Sequence, residues 1–440
     1  MHNHKFSALF ICMMITFINF SPIMGNTIMT ISDLTTVQKN GVPGRVLGSV
    51  GSLRDCTDPA LVKMQCNDWL SHVPEDGNYG GTVLIFDDGL SVSNWQDLEN
   101  GFYGMSVDIV GYLTPDDQGN IPNTLIGEIG QDTLQGITDA DLDYLGSDDH
   151  AIAVISALGT IARKAKVLFV NARYDGEPID SGFYLTDNEI WRWIANNVEN
   201  YNIKVISTSF NVKDFPNFDS TVFDYIYAQG VFMATSIGNK QRDDGDDFPQ
   251  FHPYVYAVGS IDHETRTKSN DPNYYYSKEN KYSGDNDACN SREQEERTHT
   301  LCASYGYWDF NTNPSEALDF VMPGNGVPVA FNPTLNQIIN GYVLRYDKGT
   351  SFSAPYLAAT ALVAIYAYSQ GYYSVAGRLS YPSVSQIYDL LKDNAYSPYT
   401  GWDRKLGWGM PLIMDVYGAA YGEGAWDATS TTSGGGWNWL

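Results

Sequence analysis

The chain has 440 residues, of which 43% are hydrophobic, ample for a large buried core. Its 52 acidic and 26 basic residues leave a formal net charge of -26, which repels polyanions and argues against nucleic acid or an anionic membrane surface as a partner. Length alone would allow about three domains, yet strand and helix signals alternate as one series over residues 80–423, which reads as a single α/β domain.

Lys5, a mostly apolar stretch over 6–20 and the small Gly25 read as a secretory signal peptide over 1–25, too short to span a bilayer comfortably, with a short uncleaved anchor as the other reading. The mature chain is therefore expected outside the cell, with residues 26–79 as an N-terminal extension. Cys12 falls inside the signal. Cys56, Cys66, Cys289 and Cys302 remain, and an even number in an exported chain implies disulfides. Three connectivities are open, and nearness in sequence favours Cys56–Cys66 and Cys289–Cys302.

Thr82-Val83-Leu84-Ile85-Phe86 is a short apolar run rich in β-branched residues, the mark of a buried parallel strand. Asp87-Asp88-Gly89 follows at its carboxyl end, where open α/β sheets place their sites; an Asp-Gly turn is the plainer use of that pair. Residues 90–146 read as an insertion. His150 then opens a helix of small and apolar residues, Ala151-Ile152-Ala153-Val154-Ile155, and no other of the seven histidines begins such a segment. A lone histidine there is more often structural, but one facing a buried acid has the makings of a general base.

A further buried strand is expected over 231–236, with helices over 188–200 and 222–229. Beyond the last strand, Ile237-Gly238-Asn239 presents an amide able to donate to an oxyanion, although a turn Asn after Gly is the simpler use. The carboxylate-dense stretch 242–247 has ligands of the kind calcium takes, without EF-hand spacing; a solvated acidic turn explains it more simply. Residues 262–316 are polar and Tyr-rich, a second insertion.

Gly349-Thr350-Ser351-Phe352-Ser353-Ala354-Pro355 runs straight into a helix that is apolar on every face and must be buried. Ser351 thus sits where unpaired N–H groups and partial positive charge collect, a place suited to a developing oxyanion. Helix capping is the bland reading of such a serine. A helix over 383–395 follows, and residues 424–440 read as a flexible Gly-rich tail.

In this order, Asp87, His150, Asn239 and Ser351 resemble the subtilases, the subtilisin-like serine peptidases, over about residues 80–418. The Gly-Thr-Ser-x-Ser-x-Pro segment is the most specific part of the likeness, and residues 165–171, 204–209, 319–324 and the Gly-rich 406–411 resemble further strands of the family. The resemblance implies a three-layer, doubly wound α/β fold with a mostly parallel central sheet and helices on both faces. It implies an Asp87–His150–Ser351 triad, Asn239 in the oxyanion role, and a secreted endopeptidase acting on protein or peptide substrates. It implies no cofactor for the chemistry, calcium at a structural site as an option, and no nucleic-acid or membrane partner for the mature form. Related sedolisins use Glu as base and Asp at the oxyanion, so His150 and Asn239 favour the subtilisin branch. Three departures stand out: Ala151-Ile152 where Gly-Thr is usual, Asp88 for Ser or Thr, and Asn211 for Gly. Residues 26–86 also leave little room for the inhibitory propeptide many members carry. A non-catalytic secreted scaffold that keeps this fold is the alternative.

Overall fold

Seven of the apolar stretches pair side by side. In the computed structural model, β1 (Thr82–Asp87), β2 (Asp108–Leu113), β3 (Lys166–Asn171), β4 (Ile203–Thr208), β5 (Phe232–Ser236), β6 (Val255–Asp262) and β7 (Phe320–Ala330) form a parallel sheet in the order β2-β3-β1-β4-β5-β6-β7. β8 (Ile338–Ile339) and β9 (Tyr342–Lys348) close one edge, with β9 antiparallel to β7. The structure describes residues 56, 61–62, 64–115, 121, 125–126, 137–139, 142, 150–171, 187–210, 217–238, 248–250, 252–262, 318–330, 338–339, 342–397, 400–402 and 406–432, all within one compact unit spanning Ser49–Leu440.

Helices cover both faces: α1 (Cys66–Trp69), α2 (Val92–Glu99), α3 (His150–Ile161), α4 (Asn188–Asn197), α5 (Thr221–Ala228), α6 (Thr350–Ala376), α7 (Val384–Asp393) and α8 (Ile413–Thr432). The side chains of β1 alternate between two cores. Val83 and Ile85 join the cluster built with α3 and α6, while Leu84 and Phe86 join Ile190, Trp191 and Ile194 of α4 and Phe223 and Ile226 of α5. Every residue of β1 is buried, which is why its sequence is a continuous apolar run and not an alternating one. This is the expected three-layer architecture. α6 is long and apolar enough to cross a membrane, but it lies buried in this core.

Three expectations need correction. The stretch 90–146, read as inserted, contributes α2 and the edge strand β2. Gly111 interrupts the apolar pattern of β2, and it is needed there: a Cβ would fall 2.7 Å from a Leu125 methyl. The Gly-rich strand near 406–411 shortens to β11 (Met410–Pro411), antiparallel to β10 (Ala395–Tyr396). The tail boundary at 424 also fails, because α8 continues to Thr432. Gly424 lets α8 lie against α6, since a Cβ there would meet the Tyr368 carbonyl oxygen at 2.1 Å. Tyr368 then donates its hydroxyl to Asp427 at 2.5 Å. Residues 433–440 lie outside the described residues.

Cys56 and Cys66 form a disulfide, and Trp69 of α1 donates its indole N–H to the Ile161 carbonyl at the end of α3, 2.9 Å away. Cys289 and Cys302, with the rest of 263–317, lie outside the described residues.

Candidate active site

The site collects at the carboxyl ends of β1, β4 and β5. Asp87 ends β1 and is wholly buried. Its Oδ1 accepts from the Asp88 backbone N–H at 2.9 Å and from His150 Nδ1 at 2.8 Å. A carboxylate that accepts at this oxygen calls for a proton on Nδ1, and in that tautomer of a neutral imidazole the lone pair is at Nε2. Two aromatic rings approach the imidazole, with centroids 5.3 Å away for Phe210 and 6.1 Å for Phe352, and it keeps 27% of its side-chain surface exposed.

Asp88, one of the departures from the family pattern, is buried and caps α3: its Oδ1 accepts from the Ala151 N–H at 2.9 Å. A carboxylate is favourable at a helix N-terminus on both hydrogen-bonding and dipole grounds. Ala151 and Ile152 pack into the main core, so the Gly-Thr to Ala-Ile change leaves the helix entry intact.

The turn carrying Ser351 is held by glycine. Gly349 precedes α6 with φ 148°, a conformation L side chains avoid, and its N–H donates to the Gly324 carbonyl at 2.7 Å. A Cβ on Gly324 would lie 2.0 Å from Ser260 Oγ and 2.8 Å from the Gly349 oxygen, so the close approach of β7 to this turn needs glycine on both sides. Thr350 Oγ1 accepts from the Gly238 N–H at 3.2 Å, tying the turn to the end of β5. Asn239 itself lies outside the described residues, as do Asn211 and the acidic stretch 242–247.

Ser351 and Ser209 clasp each other. Ser351 Oγ donates to the Ser209 carbonyl at 3.2 Å, and Ser209 Oγ donates to the Ser351 carbonyl at 2.8 Å. The second bond has a cause in the sequence. Within α6 the Ser351 carbonyl should receive the N–H four residues on, but that residue is Pro355, which has none. Ser209 supplies the missing donor. Sequence reasoning missed Ser209, although a proline four residues after the serine signals an orphaned carbonyl at that position.

The structure pairs a buried carboxylate with the imidazole it orients; the Ser351 hydroxyl, bonded to the Ser209 carbonyl, sits on the first turn of a buried helix whose next residue, Phe352, has its ring centroid 6.1 Å from the imidazole. That is the equipment for activating a hydroxyl as a nucleophile. The family model described as the subtilase family matches residues 140–409. Asp87 precedes that span, so its place rests on the hydrogen bond to His150. Among solved structures, a lanthipeptide protease shares the fold with a TM-score of 0.50 and 17% identity, over 80% of this chain and 91% of that one. No curated protein matches.

Proposed function

The chain belongs to the subtilase family, and from that premise we propose that it is a secreted serine endopeptidase working through an Asp87–His150–Ser351 triad and an acyl-enzyme. Ser351 Oγ turns from the Ser209 carbonyl toward His150 Nε2, gives up its proton and attacks the scissile carbonyl carbon. His150 passes that proton to the leaving amine, and a water, deprotonated in the same way, releases the acyl group. Asp87 holds the Nδ1 proton and stabilises the imidazolium that forms between the two transfers. The Ser351 backbone N–H at the start of α6 and the Asn239 side-chain amide are the donors to the oxyanion.

The observation that carries this reading is the 2.8 Å bond from the wholly buried Asp87 carboxylate to His150 Nδ1. No step calls for a cofactor; calcium, if bound, has its ligands at 242–247 and a structural role. Export through residues 1–25 and a protein or peptide substrate complete the proposal, and the net charge of -26 favours neither nucleic acid nor an anionic membrane as partner. The test is covalent labelling by a fluorophosphonate with peptide hydrolysis measured alongside. Ser351 takes the label, and Ser351→Ala loses both labelling and turnover, the latter by about 10⁶-fold. Folded protein that neither labels nor cleaves would overturn the reading in favour of a scaffold.

A further inference from the structure

We propose that the corner formed by Asp87, Asp88 and His150 is a binding site for a divalent transition-metal ion, with Zn²⁺ the best match, and that the bound ion switches the triad off. One donor atom from each of the three residues falls within 4.8 Å of the others. A cluster alone would say little. The second observation is Asp87 Oδ2, which is buried and has no hydrogen-bond partner. An orphaned oxygen on a fully buried carboxylate carries a desolvation cost that a cation removes. Asp88 belongs to the same cluster, and the Ala151 N–H fixes its carboxylate through Oδ1.

The donor set selects the metal. Two carboxylate oxygens and one imidazole nitrogen suit Zn²⁺, whereas calcium and magnesium prefer oxygen alone. The ion takes the place of the Nδ1 proton, which leaves to water. The one remaining ring proton then sits on Nε2, which can no longer accept the proton of Ser351. Removal of the ion by a chelator restores the original tautomer. The site stands on geometry alone; only its inhibitory consequence rests on the peptidase reading.

The experiment titrates chelator-treated full-length protein with ZnCl₂ by calorimetry, comparing wild type with Asp88→Asn and Asp88→Ser, each checked for folding by circular dichroism. Asn keeps an acceptor for the Ala151 N–H, and Ser restores the residue type usual in the family. Wild type binds one ion per chain, and both variants weaken that affinity by about tenfold or more, no less than loss of an outer-shell partner costs a metal site. Zinc also slows fluorophosphonate labelling of the wild type, and chelator reverses the effect. Equal zinc affinity in wild type and both variants, or no such binding in the wild type, overturns the site. If metal-free wild type fails to label at all, the peptidase reading falls while calorimetry still decides the metal.

Discussion

Two aspartates next to the central sheet, Asp87 at the end of β1 and Asp319 just before β7, four strands along, have opposite hydrogen-bond inventories. Asp319 has both oxygens occupied: Oδ2 accepts from the Ala257 N–H at 2.8 Å and Oδ1 from the Tyr388 hydroxyl at 3.2 Å. Trp408 braces that tyrosine with an indole N–H at 2.7 Å. Asp87 loads both of its contacts on Oδ1 and leaves Oδ2 buried without a partner. A fully satisfied carboxylate is what a structural joint looks like, and Asp319 ties α7 and the 406–410 segment to the sheet. An incompletely satisfied one persists at a site selected for something besides stability.

The largest expected effect separates the two. Asp87→Asn leaves the fold in place but loses control of the imidazole tautomer, and kcat for peptide hydrolysis falls by about 10⁴-fold. Asp319→Asn stays within about threefold of wild type, as residues outside the reacting groups do. Steady-state kinetics on one peptide substrate checks both, and a comparable loss from both variants would break the contrast.

A second difference lies in pH. Burial lifts the Asp319 carboxyl from the usual 3.8 to about 7, against the pull of its two hydrogen bonds. The folded protein therefore holds a proton there that the unfolded chain has already lost. The stability this contributes is complete below about pH 4 and is lost as pH rises through about 7. Denaturant unfolding across that window should show Asp319→Asn flattening the decline by something on the order of 1–3 kcal/mol. A slope identical to wild type would contradict the assignment.

Ser209→Ala makes the smallest change. It removes the hydroxyl donor to the Ser351 carbonyl that Pro355 cannot replace, leaving a buried acceptor unpaired at a cost of about 1–3 kcal/mol. The shift in denaturant midpoint reports that cost. Replacing Pro355 by Ala in the same chain restores an N–H and recovers part of it, which sharpens the link between the two positions.

Much of the fold was legible in residue pattern. The continuous apolar runs of β1 and β5 announced strands buried on both faces, and the apolar helix after Ser351 announced its own burial. β2 was not legible, because Gly111 breaks its run for a packing reason that only the neighbouring Leu125 reveals. The end of α8 was hidden for a similar reason: Gly424 opens the stretch read as a flexible Gly-rich tail, yet it serves close helix contact. At the site, chain order singled out Asp87, His150 and Ser351, and the structure brings the first two together. The clasp with Ser209 and the capping role of Asp88 depend on contacts between segments far apart in the chain, which no local pattern encodes.

The most direct test of the central claim is the rate at which a fluorophosphonate modifies Ser351 in wild type and in His150→Ala, with the modified residue located by mass spectrometry. The account predicts a single adduct on Ser351 in the wild type and almost none in the variant. Labelling of Ser351 at the same rate in both would mean that the hydroxyl is not activated by His150, and the proposed peptidase mechanism would be wrong.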